Sequence, residues 1–213
     1  MPGRGTVPAV IQATKQSWAY AFNRITGEPL WPIVDRPVEQ SIVPGEVLSP
    51  TQPFVTKPAP YDLQGLSIDD LVDYTPELRA EAIAVLDDYV LGGLFNPPIH
   101  ADNPMGKYAA MNCPGGAGGA NITAPAVADP TTGKFYVSSH TACFALRLIP
   151  GEEADLLFPD STGVTTARYA NGVRGATART PRLKSGIPIW KPPYSRITAI
   201  DMTTGDHSWM IPT

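Results

Sequence analysis

One pattern occurs twice in this chain, at Ala21-Phe22-Asn23-Arg24-Ile25-Thr26-Gly27-Glu28-Pro29-Leu30-Trp31 and at Ala199-Ile200-Asp201-Met202-Thr203-Thr204-Gly205-Asp206-His207-Ser208-Trp209. Both copies fit Ala-x-Asn/Asp-x-x-Thr-Gly-x-x-x-Trp, and each follows a short strand-prone run. A degenerate third copy, Ala128-Asp129-Pro130-Thr131-Thr132-Gly133-Lys134-Phe135-Tyr136-Val137, carries its aromatic two positions early. The unit reads as strand, tight turn, strand. Asn or Asp opens the turn through a side-chain bond to nearby backbone, and Gly supplies a left-handed residue. Trp returns on the second strand as an apolar anchor. Repeated hairpins with a Trp in each predict blades of a β-propeller.

Composition agrees. The 213 residues are only 17% charged, contain 24 Pro and 19 Gly, and are 43% hydrophobic, which suits a loop-rich β protein with a real core. A net charge of −4 with no basic run excludes nucleic acid as a partner. No segment approaches the roughly 20 apolar residues of a membrane helix. Met1-Pro2-Gly3-Arg4-Gly5 is not a hydrophobic signal region, so secretion does not follow from this chain. Cys113 and Cys143 pair as a disulfide or remain as two buried thiols; their spacing does not suggest zinc.

Residues 7–22 read as two strands around a turn at Lys15-Gln16-Ser17, with Trp18, Tyr20 and Phe22 on one face. An insertion at about 34–108 follows. It begins with a Pro-rich excursion over 34–66, for which Ile42, Val47, Phe54 and Tyr61 are candidate anchors. Its helical part is 67–91: Ser67 and Asp70 resemble a capping box, and Thr75-Pro76-Glu77 is a stronger start. Leu78, Ala82, Val85, Leu86 and Tyr89 then form an apolar stripe that Gly92-Gly93 terminates. Further strands are expected at about 122–128, 135–139, 194–200 and 207–211, with a loop-like region bearing Arg168, Arg174, Arg179 and Arg182 before the last pair. The fold class is therefore all-β with a helical insertion, a partial propeller of about three blades. Both ends cut through repeat units, so the chain is expected to be part of a larger protein or a truncated gene product.

Pro114-Gly115-Gly116-Ala117-Gly118-Gly119-Ala120-Asn121 is the most site-like segment. Small residues let a flat ligand approach the backbone, and Asn121 can both donate and accept hydrogen bonds. It is not a dinucleotide fingerprint, because Asn121 stands where the last Gly belongs and a strand follows. The bland alternative is a Gly-rich connection between blades. Asn121-Ile122-Thr123 is also a chance-level glycosylation sequon. Lys15, at a turn in an otherwise uncharged stretch, is either solvated surface or a functional cation. His100, His140 and His207 have no metal-ligand spacing, and His207 is expected to be exposed. Asp69-Asp70 and Asp87-Asp88 are expected to be solvated.

Taken together, Gln12 to Ile33, Ser49-Pro50-Thr51-Gln52-Pro53-Phe54, Gly118-Gly119-Ala120-Asn121 with Asp129-Pro130-Thr131-Thr132-Gly133, and Lys191 to Asp201 resemble the pyrroloquinoline-quinone (PQQ) dehydrogenases, nearest the branch of membrane-bound quinoprotein glucose dehydrogenase. The likeness covers essentially the whole chain. It implies a C-terminal-half fragment of an eight-bladed periplasmic propeller that oxidises an alcohol or sugar by hydride transfer to PQQ, with calcium beside the cofactor. It implies a quinone or cytochrome c as electron acceptor, and an upstream partner chain if the missing blades are supplied separately. By position, Lys15 resembles the basic residue that contacts the quinone oxygens, and Asn121 the polar residue of the cofactor loop. Ile122 departs from the Trp that many relatives carry. The family's catalytic Asp and main metal ligands lie upstream of Met1, so this chain is expected to contribute no catalytic residue and no metal ligand. A non-catalytic propeller scaffold and an inactive gene remnant are the alternatives; Lys15 with the Gly-rich loop favours the enzyme.

Overall fold

The turn in each copy of the repeated pattern folds as its chemistry requires, but the Trp is not a buried anchor: Trp31 is half-buried and Trp209 is 42% exposed. The computed structural model describes residues 5–116, 118–120, 126–151, 169–173 and 180–213. Asn23, Asp129 and Asp201 each open a turn closed by a left-handed glycine: Gly27 at φ 77°, Gly133 at φ 67° and Gly205 at φ 77°. The glycine N–H donates to the carbonyl of the opening residue at 2.8, 2.9 and 2.7 Å respectively. The opening side chains accept from backbone two residues on, at Ile25, Thr131 and Thr203, over 2.8–2.9 Å. In all three turns the opening Asn or Asp side chain and the closing glycine N–H are both used.

The strands between the turns form small antiparallel sheets. β1 (Ala9–Ala13) pairs with β2 (Ala19–Asn23), and β3 (Ile33–Pro37) with β4 (Thr51–Val55). Beyond the helical segment come β5 (Tyr89–Val90), β6 (Ile99–His100) and β7 (Ala109–Asn112). β8 (Ala126–Asp129) and β9 (Lys134–His140) flank the Asp129 turn; β12 (Ser195–Asp201) and β13 (Asp206–Pro212) flank the Asp201 turn. β9 pairs with β12 along its whole length, giving a four-stranded sheet ordered β8-β9-β12-β13. Between β9 and β12 the chain leaves to build β10 (Phe144–Pro150) and β11 (Tyr169–Asn171) in a second sheet, ordered β11-β10-β7-β5, with β6 beside β10.

Several expectations change. The Pro-rich excursion is ordered, but of its four candidate anchors only Tyr61 is fully buried and Phe54 partly so. Ile42 and Val47 are 42% and 93% exposed, and Val43 and Val55 are buried instead. The excursion also contains the β3–β4 hairpin, whose first strand is exposed along most of its length and leaves no alternating pattern to read. The helix α1 (Pro76–Leu86) starts as expected, with Thr75 Oγ1 accepting from the Leu78 N–H at 3.3 Å, but it ends at Leu86 rather than at Gly92-Gly93. Tyr89–Val90 turns away as β5 to pair with β7, so sheet pairing ends the stripe before the glycines. A single 3-10 turn, Ile68–Asp70, precedes it, and there Asp70 is half-buried, its carboxylate accepting from the Ser67 N–H and Oγ. β10 lies in the region expected to be loop-like. Arg168, Arg174 and Arg179 lie outside the described residues.

Two cores result. One joins Ala82 and Leu86 of α1 to Ala109 and Met111 of β7, Ala145 of β10, Ile189, Trp190 and the Cys113–Cys143 pair. That pair is a disulfide, which settles the alternatives left open by spacing. The other core gathers Ala19, Tyr61, Ala120, Phe135, Val137 and Ile200. The Gly-rich segment runs from Cys113 in the first to Ala120 in the second, so it bridges them.

Candidate functional site

The β1–β2 turn and the Gly-rich loop, far apart in sequence, meet in space. Lys15 is exposed, and its Nζ donates to the Gly116 carbonyl at 2.9 Å. Gly119 (φ 60°) backs directly onto the turn: a Cβ there would lie 2.3 Å from the Lys15 carbonyl oxygen and 3.1 Å from Ser17 Oγ. The Ala120 N–H donates to the Thr14 carbonyl at 3.3 Å. Gly119 also exchanges backbone hydrogen bonds with His140 at the end of β9, at 2.9 and 3.1 Å. Glycine is required at this contact because no side chain fits between the two backbones.

The rest of the loop is wedged as closely. A Cβ on Gly115 (φ 70°) would lie 2.3 Å from the Ala142 carbonyl oxygen, one residue from the disulfide at Cys143. A Cβ on Gly118 would fall on the Pro114 carbonyl, at 1.7 Å. Gly116 is the exception. A Cβ there would meet nothing within 4 Å, so the residue whose carbonyl holds the lysine faces open space.

Lys15 also differs in its electrostatics from four of the other five lysines. Lys57, Lys107, Lys134 and Lys191 each face a carboxylate: Asp206, Asp87, Asp201 and Asp73. Among the described residues no carboxylate lies within ion-pair distance of Lys15, whose ammonium is held only by a neutral carbonyl. An exposed, uncompensated cation beside a bare backbone face suits an anionic, flat ligand.

Beneath the turn lies a buried polar cluster that sequence reading did not assemble. Tyr61, with no exposed surface, donates its hydroxyl to the Thr14 carbonyl at 2.6 Å and accepts the Thr14 N–H at 2.9 Å. Its own N–H donates to the Ser17 carbonyl at 2.9 Å. Burial pushes the Tyr61 phenol up to about 12, so it stays a neutral donor throughout the working range. Next along the chain, the Asp62 side chain has no exposed surface and pairs with Arg196 at 3.1 Å. Thr141 Oγ1 donates to the same carboxylate, and Arg196 also reaches the Pro193 carbonyl at 2.6 Å. The one signal for this cluster was Tyr61, read as an anchor of the excursion.

Asn121 lies outside the described residues, so only its neighbour Ala120 is placed against the Lys15 turn. His207 is half-buried rather than exposed, with Nε2 3.0 Å from the Ala59 carbonyl. Among the described residues no group of three or more His, Cys, Asp or Glu side chains is arranged to hold a metal ion. The residues here fit an anionic cofactor edge and do not fit a metal centre.

Residues 2–213 match the family described as the glucose/ethanol/alcohol dehydrogenase β-propeller domain of the PQQ enzymes. The chain belongs to this family. The PQQ dehydrogenase domain accounts for the separate small sheets as blades of a partial β-propeller. Similar proteins include the quinate/shikimate dehydrogenase (quinone) of Acinetobacter baylyi, 29% identical over 97% of this chain and 25% of that protein. The glycerol dehydrogenase large subunit of Gluconobacter thailandicus is 32% identical over 96% of this chain and 29% of its own length. A probable quinate dehydrogenase (quinone) of Xanthomonas campestris pv. juglandis is 26% identical, with 26% of its length covered. The chain thus spans between a quarter and a third of these relatives.

Proposed function

We propose that this chain forms one wall of the cofactor pocket of a PQQ-dependent dehydrogenase that oxidises an alcohol bearing several hydroxyls, such as a polyol, sugar or cyclic hydroxy acid. The observation that carries this is the Lys15 ammonium, which meets no carboxylate among the described residues and is held on the open face of the Gly-rich loop. When bound, PQQ supplies the two-electron acceptor for hydride leaving the carbinol carbon. Lys15 supplies fixed positive charge where negative charge builds up on a ligand oxygen, and a preorganised cation acts there without reorganisation at the moment of reaction. The Gly-rich loop presents backbone groups to the same ligand, and Asn121, which follows it in sequence and lies outside the described residues, is assigned to it as a hydrogen-bonding amide by the family resemblance. The loop is seated closely on its neighbours, with Gly115 against the Ala142 backbone and Gly119 against the Lys15 backbone.

The catalytic base, any calcium ligands and the remaining blades are supplied by residues beyond this chain. A quinone is the electron acceptor that two of the relatives' names favour. A periplasmic location is supported by the buried Cys113–Cys143 disulfide, since such bonds persist in oxidising compartments.

The test is PQQ titration of the full-length apoprotein, followed by Trp fluorescence, for wild type and Lys15→Ala. Saturable binding weakened at least tenfold, roughly the value of a charge-assisted hydrogen bond, supports the assignment. Equal affinity in a folded variant removes Lys15 from the pocket, and no binding at all leaves a propeller scaffold.

A further inference from the structure

Lys15 is an exposed residue of a four-residue turn, Thr14 to Ser17, that joins β1 to β2. A lysine there has no reason to point in one direction unless the backbone beneath it is fixed. The turn's own bonds, Ser17 N–H to Thr14 carbonyl at 3.1 Å and Thr14 N–H to Trp18 carbonyl at 3.0 Å, set its shape but not its placement. Placement comes from outside the hairpin.

We infer that Tyr61, assisted by Gln64, is the positioning residue that aims Lys15 at the open face of the Gly-rich loop. This deepens the proposed function and rests on it. One buried residue grips the turn at both ends: the phenol hydroxyl bonds the N–H and the carbonyl of Thr14, and the Tyr61 N–H holds the Ser17 carbonyl. Gln64 Nε2 donates to the Gln16 carbonyl between them. Tyr61 is itself buried and tied to the neighbouring sheet. Its carbonyl accepts from Ser139 of β9 at 3.3 Å, and Asp62 is locked to Arg196 of β12 and to Thr141. The four-stranded sheet β8-β9-β12-β13 therefore sets the position of a lysine on the separate β1–β2 hairpin. Gly119 completes the seat from the other side. Tyr61 touches no reacting atom, so its contribution passes through Lys15.

A double-mutant cycle in the full-length holoenzyme separates positioning from general support. PQQ affinity and kcat are measured for wild type, Tyr61→Phe, Lys15→Ala and the double variant, with melting temperature recorded for each. Phenylalanine keeps the ring, and the turn keeps its internal hydrogen bonds, so the variant is expected to fold. The expected result is a loss of affinity of about tenfold for Tyr61→Phe in the Lys15 background, and less than about twofold once residue 15 is alanine. An equal loss in both backgrounds, or none with Lys15 present, overturns the inference. No effect of Lys15→Ala overturns the cofactor reading itself, and the positioning role falls with it. If Tyr61→Phe does not fold, Gln64→Ala replaces it in the same cycle, and additivity there has the same meaning.

Discussion

Gly119→Ala and Gly116→Ala are the same chemical change three residues apart, yet they should behave in opposite ways. At Gly119 the φ of 60° costs an L-residue about 1–2 kcal/mol. The new methyl would also stand 2.3 Å from the Lys15 carbonyl oxygen and 2.8 Å from its carbon, backbone atoms that cannot swing aside as a side-chain tip would. Overpacking of that kind adds about 1–3 kcal/mol, so the sum is roughly 2–5 kcal/mol. A domain with about 5–15 kcal/mol in hand survives this with a large shift, about 1 M or more in urea midpoint. At Gly116 an added methyl meets nothing, and apoprotein stability should change by no more than ~0.5 kcal/mol. That same methyl occupies the space assigned to the cofactor, so Gly116→Ala should bind PQQ more weakly while unfolding like wild type. Urea unfolding of the apoproteins followed by PQQ titration reads both effects. A wild-type midpoint for Gly119→Ala would refute the backbone seating, and unchanged PQQ affinity for Gly116→Ala would refute the placement of the ligand.

Other consequences are more local. Arg196→Met leaves the Asp62 carboxylate buried without its cation, which should cost about 3–5 kcal/mol in urea unfolding, whereas Asp62→Leu with Arg196→Met should recover most of it. Removing the Cys113–Cys143 disulfide by double Ala substitution reopens a loop of sequence separation 30, for a loss of about 3–4 kcal/mol; a loss under ~1 kcal/mol would mean the unfolded chain is not restrained by it. The Lys134 ammonium, with Thr203 behind it, holds the Asp201 carboxyl well below its usual range. Its contribution is therefore present above an unfolded value of about 4 and lost as pH falls below it, and Asp201→Asn should flatten the acid side of the stability profile.

Legibility in the sequence followed how local the physics was. The three turns were readable because Asx, Thr and left-handed Gly act within five residues, and the structure uses each as expected. The start of α1 was readable from Thr75 and Pro76 for the same reason, but its end was not, since pairing of Tyr89–Val90 with Ala109–Ala110 is a long-range event. The β10 strand was missed because it joins a mixed sheet against β7 and β6, where neighbours rather than alternation decide its state. At the site, Lys15 and the Gly-rich loop were picked out separately. Their contact depends on a glycine that admits a carbonyl, which nothing in either segment announces. Tyr61 was visible only as an aromatic in a Pro-rich stretch; its role comes from a hydroxyl that reaches a turn 47 residues away.

The most direct test is a crystal structure of the full-length protein with PQQ bound. The expected result places the Lys15 Nζ within about 2.7–3.2 Å of a quinone oxygen of the cofactor, with the face of Gly116 against its ring. A cofactor bound elsewhere, with Lys15 still resting on the Gly116 carbonyl and facing solvent, would contradict the assignment.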